Sequence, residues 1–161
     1  MDRFSRRQFL SSSSIAVAAL GAGVAVPSVG WAEEKKGMRT LGRTGLEVTQ
    51  ISFGGLDIGT SALLQGAIDN GINLIHVGTG YVNGKAIRMY GEVMKERRKD
   101  VVLALKEDPI NGIDEALKLL NTDHVDILMP GLHSVEEISN PELPGAFEKL
   151  KKEGKIRFTG F

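Results

Sequence analysis

The chain has 161 residues, no cysteine, 42% hydrophobic and 25% charged residues, and 20 basic side chains against 20 acidic ones. Such a composition fits one folded domain. It excludes a disulfide scaffold, a cysteine-ligated zinc module and an iron–sulfur carrier held on cysteines. Zero net charge, with no basic cluster interleaved with aromatics, leaves no electrostatic footprint for nucleic acid.

The first 32 residues predict an export signal. Ser5-Arg6-Arg7-Gln8-Phe9-Leu10 is a twin-arginine run, no charge follows from Ser11 to Ala32, and Gly30-Trp31-Ala32 places small residues at −3 and −1 before Glu33-Glu34-Lys35-Lys36. Gly21, Gly23 and Pro27 break a long helix. The expected organisation is a signal over 1–32, a short polar linker over 33–37 and a domain over 38–161. Cleavage after Ala32 removes Arg3, Arg6, Arg7 and Asp2, so 17 of the 20 basic and 19 of the 20 acidic residues remain. The expected location is the periplasm, with no membrane attachment after cleavage; an uncleaved signal would instead anchor the protein. A cysteine-free chain suits an oxidising compartment.

From Met38 onward strand and helix patterns alternate. Met38–Leu41 and Leu46–Thr49 flank Gly42-Arg43-Thr44-Gly45 as a hairpin. Gln50–Phe53 reads as a short strand stopped by Gly54-Gly55. Ser61 is the expected cap of a helix with Leu63, Leu64, Ala67 and Ile68 inward and Gly71 at its end. Ile72–Val77 is a buried strand, and Ala86, Met89, Tyr90 and Val93 mark one face of the next helix. Val101–Leu105 is almost wholly apolar, as a strand covered on both faces should be. Ile113, Ala116, Leu117 and Leu120 give a third helix, and Val125–Met129 a fourth interior strand. Asn140-Pro141 opens the last helix, with Phe147 and Leu150 inward and Gly154 as its stop. Ile156–Phe161 is the fifth strand. Short-looped β-α repeats predict an α/β fold with a parallel sheet and right-handed crossovers.

Six segments carry a resemblance. Met38–Val48, Ser52–Gly55, Gly71–Asn73, Val101–Lys106, Thr122–Leu128 and Glu153–Gly160 resemble, in the same order, successive landmarks of the aldo-keto reductases. The resemblance implies a TIM-type (β/α)8 barrel, of which this chain would carry the N-terminal hairpin, five strands and four helices. It also implies carbonyl–alcohol interconversion by hydride transfer with NADP(H), acting on a small carbonyl or alcohol. Most of the family's cofactor contacts come from the loops after strands five, seven and eight, so most of that site would lie outside the matched landmarks. A homo-oligomer, or a partner completing the barrel, would then be expected. Two other readings stay open: a non-catalytic binding or scaffold protein on a decayed barrel, and a gene fragment.

The resemblance also implies site residues. Tyr81 falls at the family's general-acid tyrosine and Lys106 at the lysine that tunes it; a phenol with a pKa near ~10 needs such a cation to exchange protons near neutrality. The aspartate position is held by His76, whose imidazole would orient Tyr81 or Lys106. The family's histidine position falls by count on Gly131, with His133 two residues on. Plainer readings stand beside these: a loop tyrosine, a lysine at a strand exit, an interior His76, and His133 as a loop residue. Gly78-Thr79-Gly80-Tyr81-Val82-Asn83-Gly84 is one residue too long for a Rossmann phosphate loop. A metal pair from His76 and His133 lacks a third ligand of suitable spacing.

Overall fold

A computed structural model describes residues 37–132 and 134–160; the twin-arginine run, the cleavage site and His133 lie outside them. Strands β1 (Met38–Thr40) and β2 (Glu47–Thr49) pair antiparallel, with Arg39 opposite Val48. Gly42 and Gly45 supply the positive φ of the turn, and Thr44 Oγ1 donates to the Leu41 carbonyl at 2.6 Å. Asn73 then fastens the hairpin to the sheet. Its Oδ1 accepts from Thr49 N–H and its Nδ2 donates to the Glu47 carbonyl, both at 2.8 Å.

Five parallel strands follow in the order β3-β4-β5-β6-β7, each next to its sequence neighbour. They are β3 (Phe53–Gly54), β4 (Leu74–Gly78), β5 (Val102–Lys106), β6 (Val125–Met129) and β7 (Ile156–Thr159). One register row runs Gly54, His76, Ala104, Ile127, Phe158. The connecting helices are α1 (Ser61–Asp69), α2 (Lys85–Arg97), α3 (Ile113–Leu119), α4 (Val135–Ile138) and α5 (Glu142–Lys152). An α/β fold with a parallel five-stranded sheet behind an antiparallel hairpin is therefore observed. Among the described residues no helix is long and apolar enough to cross a membrane.

Several local expectations need correction. The first sheet strand is two residues long, and Gly54 belongs to it instead of stopping it. Ile51, expected within that strand, is 72% exposed; Thr49 Oγ1 donates to its carbonyl at 2.7 Å and turns the chain there. Thr60, not Ser61, is the N-cap of α1, without a side-chain hydrogen bond, and Leu63 faces solvent while Leu64 and Ile68 are buried. The short helix α4 was not expected from the sequence; Ser134 Oγ accepts from the Glu137 amide at 3.3 Å to cap it. At α5, Asn140 Oδ1 accepts from Glu142 N–H at 2.9 Å, and Phe147 and Leu150 are buried as the pattern requires.

The sheet separates two apolar clusters. On the helix side, Ile75, Val77, Leu103, Leu105 and Leu128 pack with Leu64, Ile87, Tyr90, Met94, Leu120 and Phe147. On the other face Leu46 and Val48 of the hairpin meet Val102, Ala104 and Ile127, flanked by Leu74, Met129 and Phe158. Helices α2 and α3 approach so closely that a Cβ on Gly91 would lie 1.9 Å from the Leu119 carbonyl oxygen. Asp126, buried, accepts from Leu103 N–H and Arg98 at 2.9 Å and from Arg157 at 2.5 Å. Burial opposes its charge, but Leu103 N–H and the two guanidinium groups outweigh that and hold the carboxyl below its ordinary value.

Candidate active site

A hollow of about 360 Å³ opens where β4 and β5 end, lined by Gly78, Thr79, Gly80, Tyr81, Lys106, Glu107, Asp108 and Gly131. The strand register makes this meeting. Gly78 and Lys106 are partners at the C-terminal ends of neighbouring parallel strands, the end at which such sheets present their loops. Tyr81 and Lys106, expected as a pair, therefore line one cavity. Gly131, where counting placed the family's histidine, lines it too; a Cβ there would lie 3.6 Å from Lys106 Cε.

Tyr81 is held by local geometry that composition alone does not reveal. A Cβ on Gly78 would meet three Tyr81 ring carbons at 3.0 to 3.2 Å, so the missing side chain gives the phenol its seat. Beyond Tyr81, Val82 (φ 52, ψ 43) and Asn83 (φ 53, ψ 42) are both left-handed, followed by Gly84 at φ 79. Left-handed backbone is costly for a β-branched residue such as Val82, and strain of this kind concentrates at functional sites.

His76 lies one turn of the pleat before Gly78, in register with Ala104. Its ring and the Tyr81 ring meet edge to face, with centroids 5.6 Å apart and planes at 86°. Burial, and then the positive charge of Lys106, hold the imidazole below its ordinary value, so the ring is neutral at pH 7. Its Nε2 is buried and has no hydrogen-bond partner among the described residues. The backbone at this residue is well tied: its carbonyl accepts from Gly55 N–H at 2.8 Å and from the Tyr90 hydroxyl at 3.0 Å. Tyr90 also reaches the Phe53 carbonyl at 3.4 Å, spanning β3 and β4 from α2. Burial, then the nearby Tyr81, push the Tyr90 hydroxyl well above the ordinary phenol range.

Lys106 forms no hydrogen bond or ion pair with the described residues, which leaves its ammonium available to the hollow. Glu107 and Asp108 on the same rim are engaged locally: Glu107 Oε1 accepts from Asp108 N–H at 2.7 Å, and Asp108 Oδ1 from Ile110 N–H at 2.8 Å. His124 is remote from this arrangement and pairs with Asp123 at 2.6 Å. Among the described residues no three His, Asp or Glu side chains converge as a metal ion needs. The site is thus a phenol, a cation and a neutral imidazole beside a cavity that admits a small molecule. That set suits proton transfer to or from a bound oxygen. The seat at Gly78 and the Tyr90 anchor were not read from the sequence; the glycine before the tyrosine was the available signal.

The model of the aldo/keto reductase family matches residues 57–161. The chain is 30% identical over 145 residues to the uncharacterized oxidoreductase YqkF of Bacillus subtilis, covering 76% of this chain and 47% of the relative. It is 31% identical over 153 residues to L-galactose dehydrogenase of Arabidopsis thaliana, with the same coverage of 76% and 47%. A solved aldo-keto reductase of Klebsiella pneumoniae in complex with NADPH superposes with a TM-score of 0.65 at 27% identity, over 72% of this chain and 46% of that one. The chain spans about half the length of the curated relatives it matches.

Proposed function

The chain belongs to the aldo/keto reductase family, and from that premise we propose that it interconverts a small carbonyl compound and its alcohol with NADP(H). The observation that carries this reading is the convergence of Tyr81 and Lys106 on one hollow at the ends of β4 and β5. The lining supports entry of the reacting end of the cofactor: Gly80 and Gly131 present no side chain to a hollow of about 360 Å³. Gly78 to Tyr81 and Lys106 would hold that end. NADP(H), when bound, supplies or accepts the hydride at the substrate carbon. In the reducing direction Tyr81 Oη gives its proton to the substrate oxygen, and the Lys106 ammonium stabilises the phenolate left behind. His76, neutral, adds no second positive charge beside Lys106.

Residues for the rest of the dinucleotide and strands that flank β3 and β7 belong, on this reading, to a longer form of the polypeptide or to a second copy. Light scattering of the purified chain distinguishes the two. The twin-arginine run at Arg6-Arg7 and the apolar stretch up to Ala32 support export of the folded protein to the periplasm with cleavage after Ala32. Mass spectrometry of the periplasmic form, beginning at Glu33, checks that proposal, and an Arg6→Lys, Arg7→Lys double variant is expected to remain in the cytoplasm.

Titration of the purified chain with NADPH, followed by the nucleotide's fluorescence, tests the main reading. Saturable micromolar binding is expected. Tyr81→Phe should leave that binding within about twofold while lowering turnover at least ~100-fold. A second reading, a non-catalytic binding protein on this fold, is favoured by His76 standing where the family has an aspartate. Absence of binding up to millimolar NADPH overturns the reading of this chain as a self-sufficient reductase and leaves a scaffold or a fragment.

A further inference from the structure

His76 combines a firmly tied backbone with a buried Nε2 that has no hydrogen-bond partner among the described residues. Its carbonyl accepts from both Gly55 and Tyr90, which locks the residue to β3 and to α2. Its Nε2 is the buried side-chain nitrogen without a partner among the described residues. Buried polar atoms are normally paired, and an apolar residue of similar size would have avoided the unmet atom altogether. What the imidazole does touch is the Tyr81 ring, edge to face. Such aromatic pairs prefer this geometry and resist sliding.

Tyr81 is therefore bounded on three sides. Gly78 lies against its ring carbons, His76 meets it from the strand, and the left-handed pair Val82 and Asn83 follows it. The charged and titratable groups around this point come from every element packed against it: Lys106 on β5, Tyr90 on α2, and Glu107 and Asp108 in the loop after β5. We propose that His76 is a positioning residue for Tyr81: its ring, anchored through its own carbonyl to α2 and β3, holds the phenol across Gly78 so that the hydroxyl is presented to the hollow beside Lys106. The aspartate expected at this position would act by charge on the lysine; His76 acts by ring contact on the tyrosine. The catalytic consequence rests on the reading of Tyr81 as proton donor, whereas the positional claim does not.

The chain has two tyrosines, Tyr81 and Tyr90, so incorporation of 3-fluorotyrosine gives two fluorine resonances. Tyr81→Phe assigns them, and the Tyr90 signal reports that the fold is kept. His76→Ala is expected to shift or broaden the Tyr81 resonance beyond its line width while leaving that of Tyr90 in place. It should lower kcat about tenfold with KM within about twofold. His76→Phe, which restores a ring edge without a nitrogen, should return both readouts. An unmoved Tyr81 resonance in folded His76→Ala overturns the proposal, as does failure of His76→Phe to restore it. If His76→Ala loses the Tyr90 signal, His76→Leu fills the volume without a ring and is judged by the same two outcomes. A moved resonance in a chain that never turns over NADPH upholds the positioning role and overturns the catalytic reading instead.

Discussion

The two faces of the sheet divide the work of the molecule. On the helix side the central strands are aliphatic and sealed, with Ile75, Val77, Leu103, Leu105 and Leu128 all without exposed surface. On the other face the same strands carry His76, Ala104 and Lys106, and their apolar contacts are a smaller set made with the hairpin. One face supplies cohesion because it is continuous and matched by four helices. The other, more thinly packed, carries an imidazole and an ammonium that have no hydrogen-bond partner among the described residues. Alternation along a strand is what lets one five-residue segment serve both.

Truncation tests this division most severely. Leu103→Ala on the helix side should destabilise by about 3 kcal/mol, read from the urea midpoint, because the surrounding side chains cannot collapse into the space. Val102→Ala, one residue away on the other face, should cost less than half as much; equal losses would erase the distinction. Next in size is Gly91→Ala, where the added Cβ meets the Leu119 carbonyl at 1.9 Å and must push α2 from α3, for a loss of about 2 kcal/mol in the same titration. Tyr90→Phe removes a hydroxyl bonded to the His76 and Phe53 carbonyls and should cost about 1 kcal/mol in thermal or urea unfolding.

The smallest effect is a pH dependence that belongs to the site face. The His76 imidazole is held below its ordinary value of 6.5 in the folded chain, first by burial and then by Lys106. Below about pH 6.5 the unfolded chain therefore binds a proton that the folded one refuses, and stability falls as pH drops. That contribution is fully present above pH 6.5. His76→Phe should flatten the slope of the urea midpoint between pH 6.5 and 5, a range above that in which Asp126 titrates.

Much of this arrangement was legible in the sequence where one physical signal dominated. Val125–Met129 reads as a strand with the observed limits because a largely apolar segment, broken only by Asp126, follows a polar turn. Lys106 was legible as the polar residue that ends such a run. The hairpin was legible from its two glycines. Leu63 misled because its neighbour Leu64 already satisfies the core, and an amphipathic pattern does not say which of two adjacent leucines turns inward. The left-handed Val82 runs against its local preference, and no propensity argument places a valine there, whereas Asn83 beside it tolerates that backbone. The closeness of Gly78 to the Tyr81 ring follows from the unusual backbone path of that loop, and the bond from the Tyr90 hydroxyl to the His76 carbonyl joins residues of two different elements. Landmarks could name the residues of the site, but their mutual grip depends on packing.

The placement of the hairpin has a consequence for the order of assembly. Leu46 and Val48 are buried only by Val102, Ala104 and Ile127, which are synthesised more than fifty residues later. Asn73 can fasten the hairpin's edge sooner, but its apolar underside stays wet until β6 joins the sheet. Closure across such a separation in sequence is slow compared with helix formation. The hairpin is accordingly made before the strands that cover it, and a chaperone meeting the nascent protein would find its exposed surface there.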